Sequence, residues 1–295
     1  VEEKDLGSMY VWIPRYAYQI AGEKNIKVTF LKGNSNEGVD GVKYTTDQST
    51  DTTKTAIVHP GFNLGGTQLR GFWTAKFEAS GTNKDGKAVG NASSSSGSEQ
   101  YAPDSTTIAK SLPNKISWRH VSIGESEKRS MDITTTAKSS FGLTNGTSHL
   151  IKNSEWGAVS YLGQSQYGLN GTNIRINNLT LNNSKATIYA VTGYAAKTLQ
   201  NGDTKLEDAR PVTSTEKVYK WTEKDGQTAS CTGTIYGIYD MSGGTWERSA
   251  AIVNNGDGNL NTYGKAIMNA LNNGKSSEYV TVYPKGETSG QSIDD

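Results

Sequence analysis

Tyr236-Gly-Ile-Tyr-Asp-Met-Ser-Gly-Gly-Thr-Trp-Glu247 is the stretch on which the reading of this chain turns. It sits inside Gly233 to Ala251, a segment dense in glycine and aromatic residues. Glycine lets backbone approach closely, and aromatic rings bring large area to bury. That mixture suits irregular loops packed on a few anchors. The rest of the 295 residues agrees, being 34% hydrophobic and 20% charged, with Gly, Ser, Thr and Asn dominating the remainder. The 6 Trp and 15 Tyr argue against a disordered chain, because they supply the area a core needs.

Working outward from that segment, Leu69 to Ser80 reads as a strand, with Phe72, Thr74, Lys76 and Glu78 alternating against Trp73, Ala75 and Phe77. Met9 to Ile20 is β-branched and aromatic and also predicts a strand, with Pro14 placing it at an edge or a bulge. Ile26 to Leu31 is its expected hairpin partner. Ser148 to Gly163 carries the clearest helix start: Asn153 or Ser154 is placed to cap it, and Trp156, Val159 and Leu162 share a face. Short helices are expected near Ile116, after Pro113, and over Tyr263 to Leu271, and a strand-like piece over Ala186 to Thr192. Polar insertions occupy about residues 32–55, 81–110 and 170–225. No internal repeat at a fixed period is present.

Four segments, in order, resemble the formylglycine-generating-enzyme (sulfatase-modifying factor) family, a branch of the C-type-lectin-like fold. Gly71-Phe-Trp-Thr-Ala-Lys-Phe-Glu-Ala-Ser80 is similar to that family's early strand ending in Glu-Val-Thr. Ile116-Ser-Trp118 is similar to its Val-Ser-Trp, and Leu150-Ile-Lys-Asn-Ser-Glu-Trp156 to its Leu-Pro-Thr-Glu-Ala-Glu-Trp helix. The segment quoted first resembles its Gly-Leu-Tyr-Asp-Met-x-Gly-Asn-Val-Trp-Glu signature. The resemblance covers roughly residues 65–250. It implies an α+β, C-type-lectin-like domain over residues 1–295, with small twisted antiparallel sheets, a few short helices and long irregular loops.

The resemblance also implies structural anchors: Trp73, Glu78, Trp118, Glu155, Trp156, Asp240, Trp246 and Glu247. The tryptophans are expected to bury large area, and the carboxylates to accept hydrogen bonds from loop amides. The closing Arg-Gly-Gly-Ser-Trp-like strand of the family has no counterpart before Gln291-Ser-Ile-Asp-Asp295, so a processed end or a substitute strand is expected. The opening Val11-Trp-Ile-Pro-Arg-Tyr16 also resembles surface proteins of gut Firmicutes, which points to an extracellular location.

The chemistry argues against an enzyme. Cys231 is the only cysteine and precedes the signature, whereas the family's oxidase cysteines follow it. A lone cysteine also excludes an intrachain disulfide and a Cys-based zinc site. His59, His120 and His149 lack metal-ligand spacing. Neither Gly-x-Ser-x-Gly nor a Gly-x-Gly-x-x-Gly unit occurs. Paired carboxylates leave only a glycosidase open, and its test is a distance the sequence does not hold. Calcium is the one candidate cofactor. Gly244 stands where the family has a ligating Asn, leaving Glu247, with Asn255 and Asp257 downstream, as candidate ligands.

With 30 basic against 29 acidic residues the net charge is +1, which disfavours nucleic acid as a partner. No apolar run reaches the roughly 18 residues a membrane span needs. Two functions remain. One is a surface or pilus-associated binding module presenting loops to glycan or protein, with Tyr161, Tyr167 and Tyr263 as candidate contacts. The other is a structural subunit that meets identical copies in a surface filament, pilus or phage tail fibre.

Overall fold

The computed structural model describes residues 7–22, 24–89, 103–119, 121–177, 180–182, 188–196, 218–254, 258–271, 273 and 276–284. The opening stretch forms two strands, β1 (Tyr10–Pro14) and β2 (Tyr16–Gly22), divided at Arg15. Pro14 has no N–H to extend a ladder, so the chain leaves one sheet and enters another there. β2 pairs antiparallel with β3 (Asn25–Phe30), as the hairpin reading expected, and on its other edge with β4 (Ile57–Val58).

Arg15, 1% exposed at the junction, holds this region together. Its guanidinium donates to the carbonyls of Ser35, Phe62 and Leu69 and to the side chains of Asn36 and Gln68. All five acceptors are neutral, so burial pushes its pKa down, and the loop after β3 is tied to the Pro60–Phe62 turn. A short ribbon, β5 (Asn63–Leu64) with β6 (Thr67–Gln68), leads into β7 (Gly71–Ala75). β7 pairs antiparallel with β1, bringing Trp12 opposite Trp73. β8 (Ala79–Ser80) pairs with β9 (Lys110–Ser111).

The helix expected near Ile116 starts later, as α1 (Ile123–Asp132). The backbone at 116–118 is spent on neighbours instead: Ser117 N–H donates to Ala190 O and Trp118 N–H to Ala79 O. Ser122 then supplies a cap, its hydroxyl accepting from Glu125 N–H at 3.2 Å. α2 (Asn153–Gly163) forms where expected, but neither Asn153 nor Ser154 caps it. The Glu155 carboxylate reaches back to Lys152 N–H at 2.8 Å.

The buried face of α2, including Ala158, Val159 and Leu162, packs against Tyr16, Tyr18, Ile26, Val28, Ile57 and Phe62 to make the main core. Gly61 allows this approach, since a Cβ there would lie 2.6 Å from Ser154 O. The Tyr16 hydroxyl donates to Ala158 O at 2.6 Å, which satisfies its polar tip within the core.

The later chain adds β10 (Thr180–Asn182) with β11 (Ile188–Ala190), and β12 (Tyr194–Ala196) with β13 (Val218–Lys220), both antiparallel. β14 (Ala251–Asn254) pairs parallel with β15 (Thr281–Pro284), a departure from the all-antiparallel expectation. A parallel pair needs a crossover, which contains α3 (Asn259–Tyr263) and α4 (Lys265–Asn269). The single helix expected there is split at Gly264, with Ile267 buried against Ala250, Ile252 and Val280. The architecture is α+β, with small, mostly antiparallel sheets, short helices and long loops.

Candidate functional site

A cleft of about 1370 Å³ opens between the β1–β7 ribbon, the start of α2 and the Gly244–Arg248 loop. Its walls carry Trp12, Trp73, Trp118, Trp156 and Trp246. Trp12 and Trp73 stand directly opposite on paired strands, with ring centroids 5.4 Å apart and planes inclined at 60°. They are 41% and 66% exposed, and Trp246 is 95% exposed.

These exposures correct the reading of Trp73 and Trp246 as buried anchors. Side chains alternate across a strand, so Phe72 packs on Phe62 while Trp73 turns outward. Trp246 follows Gly243 and Gly244, whose φ values of 88° and 71° suit glycine. A Cβ on Gly243 would meet Asn177 O at 2.1 Å, and one on Gly244 would meet Glu78 Oε1 at 2.6 Å. The chain therefore doubles back tightly, and Trp246 is carried out to the surface. Trp118 is buried, and Trp156 is partly covered with its indole N–H donated to Glu247 Oε2.

The carboxylates divide into loop fasteners and cleft groups. Asp240, 1% exposed with φ 66°, accepts from Gly193 N–H at 2.9 Å, Asn177 Nδ2 at 2.7 Å and Glu78 N–H at 3.3 Å. Glu78 Oε1 accepts from Thr245 N–H at 2.8 Å, fixing the signature loop to the strand end. Glu155 holds both Lys152 N–H and, at 2.9 Å, His149 Nε2. Glu247 accepts from the Trp156 indole rather than from a loop amide.

Burial, together with the Asp240 and Glu247 carboxylates, pushes Glu78 well above the usual carboxylate range. Burial also raises Asp240 to about 6, against the pull of its hydrogen bonds. Glu247 is exposed as a residue, yet the protein around its carboxyl and, to a lesser degree, Asp240 raise it to about 7, although the Trp156 bond opposes the shift.

Lys76 is a contributor the sequence reading missed. It is 5% exposed and donates to Gly237 O at 3.1 Å and to Ile235 O. Its ammonium lies 5.3 Å from the Tyr239 ring centroid and 5.5 Å from that of Trp221. Burial lowers its pKa to about 8. The lysine thus secures the start of the signature loop. Its only signal in the sequence was a cation alternating with aromatics in a strand.

Among the described residues, no group of three or more His, Cys, Asp and Glu is placed to hold a metal. Of the candidate calcium ligands, Asn255 and Asp257 lie outside the described residues, and Glu247 is engaged with Trp156. His59 is buried and its pKa is pushed down to about 3; its Nδ1 accepts from Gly61 N–H at 3.1 Å. His120 lies outside the described residues. Cys231 is buried behind the signature loop, and burial raises its thiol to about 11.

The tyrosines proposed as contacts do not meet at the cleft. Tyr161 packs on Tyr18 and His59, and the Tyr167 ring packs at a tilt against Phe30, with centroids 4.6 Å apart. The side chain of Tyr263 is outside the described ones. Among the described residues, no helix is long and apolar enough to cross a membrane.

A scan against protein-family models, a search of curated proteins and a search of solved structures each returned no match.

Proposed function

We propose that the chain is a non-enzymatic, C-type-lectin-like binding module displayed on an extracellular surface, and that its cleft takes a glycan. The observation that carries this reading is the convergence of three exposed tryptophans, Trp12, Trp73 and Trp246, on one cavity. Exposed indoles leave apolar area in water that a flat ligand face would cover. A sugar ring offers such a face of C–H groups, with hydroxyls around its edge for the polar groups of the rim. Shape and size agree, since about 1370 Å³ holds several sugar residues.

Each acid of the cleft accepts a hydrogen bond from the protein, which favours binding over hydrolysis. Glu155 is taken by Lys152 and His149, Glu78 by Thr245, and one oxygen of Glu247 by Trp156. The four ordered motifs support a retained scaffold, and Cys231, buried with its thiol held protonated, is unsuited to oxidase chemistry.

The test is a glycan array followed by calorimetry on the best binder. Trp73→Ala and Trp246→Ala are each expected to weaken binding at least about tenfold, as central aromatic contacts do. Neither side chain supports the core, so both variants keep the wild-type unfolding midpoint. Wild-type affinity in both variants would overturn the proposed site.

A further inference from the structure

Trp12 and Trp73 are a directly opposed pair of the β1–β7 ribbon, so both side chains leave the same face. Residues two apart in a strand point the same way, which makes Gly71 and Ala75 the neighbours of Trp73 on that face. Both are small. On β1, Tyr10 and Pro14 flank Trp12 in the same manner. The face therefore carries two indoles side by side, with little standing beside them along β7.

Gly71 sets how the indoles stand. A Cβ there would lie 2.5 Å and 2.8 Å from two atoms of the Trp12 ring, Cζ2 and Cε2. The Trp12 indole thus leans over Gly71, its diagonal neighbour, rather than standing upright beside Trp73. With ring centroids 5.4 Å apart, the two planes are splayed by 60°. They become parallel only if Trp12 lifts off the glycine and gives up that contact. Both rings remain in water, so the pair is two inclined platforms rather than one flat shelf.

A ligand that covers both platforms must itself turn between them. In a β-1,4-linked glucose chain both bonds at each ring are equatorial, and successive rings lie in one flat ribbon. Such a ribbon sets a ring face on one of two splayed planes and stands away from the other. An α-1,4-linked chain leaves each ring through an axial bond, so successive rings are turned against each other along a helix. Two neighbouring rings then each lay a C–H face on an indole, and more apolar area is removed from water. Resting on the reading of the cleft as a glycan site, we infer that its ligand is an α-1,4-linked glucan, adjacent rings of which lie on Trp12 and Trp73. The lean of Trp12 over Gly71 is what selects the linkage.

The experiment is calorimetry on the full chain with maltohexaose and cellohexaose, which share sugar and length and differ only in linkage. Maltohexaose is expected to bind at least about tenfold tighter, since it covers a second indole. Trp12→Ala leaves one platform, so the ratio of the two affinities falls towards one. Trp12→Phe keeps an inclined ring at the same position and retains the preference, which separates the platform from a general loss of folding. Equal or tighter binding of cellohexaose, or a preference that persists unchanged in Trp12→Ala, overturns the inference and leaves the glycan cleft standing. Binding of neither hexaose also overturns it, and the glycan array then decides the cleft separately.

Discussion

The packing of β2 and β3 on α2 and the cleft at the signature loop are both rich in aromatics, yet they use them in opposite ways. In the first, Tyr16, Tyr18, Phe62 and His59 are buried, and the Tyr16 hydroxyl and His59 Nδ1 find partners within the core. His59 stays neutral there because desolvation holds its pKa at about 3. In the second, Trp12, Trp73 and Trp246 face water, and carboxyls with raised pKa values gather beside them. The core satisfies itself. The cleft leaves the indoles of Trp12, Trp73 and Trp246 in water, and that apolar area is what the proposed ligand would cover.

The sharpest way to break this contrast is to truncate one aromatic from each region. Phe62→Ala empties a fully buried site and is expected to cost about 3–5 kcal/mol in denaturant unfolding. The next effect is at the turn that presents Trp246. Gly243→Ala forces a Cβ toward Asn177 O at a φ of 88° and should destabilise by about 1–3 kcal/mol, while also weakening glycan binding.

Titration of stability separates the regions by sign. His59 has a folded pKa below its unfolded value, so its contribution is full above about 6.5 and is lost as pH falls towards 3. Asp240 has a folded pKa above its unfolded value, so its contribution is full below 3.8 and is lost as pH rises towards 6. Unfolding free energies across this range should rise less steeply with pH in His59→Gln, and fall less, or not at all, in Asp240→Asn. Identical pH slopes in both variants and the wild type would refute the assignment. The smallest expected effect is on Trp246→Ala, whose stability should stay within about 0.5 kcal/mol of wild type despite the loss of so large a side chain.

Much of the fold was legible because it is local. The β-branched and aromatic run of the opening strands, the apolar face of α2 and the Gly-rich signature each follow from a few neighbouring residues. The start of α1 was not, since the backbone at Ile116–Trp118 was claimed by Ala79 and Ala190, both distant in sequence. The parallel pairing of β14 with β15 was hidden for the same reason. At the site, Glu78 and Asp240 were found by their motifs, whereas Trp12, Lys76 and the His149–Glu155 pair were not singled out. Phe72 and Trp73 show the limit: alternation puts them on opposite faces, but both are aromatic, so neither face declares itself the inside.

By itself, the sequence determined the elements nearest each other, the glycine turns of the signature and the place of Cys231 ahead of it. These depend on backbone freedom and residue chemistry at single positions. Only the tertiary structure decided which tryptophans are core and which are surface, because burial depends on what the rest of the chain brings to each face. It also decided that Asp240 stands close enough to raise the pKa values of Glu78 and Glu247, and Glu247 that of Glu78. Desolvation and mutual repulsion act through space, between residues more than 160 positions apart in the chain.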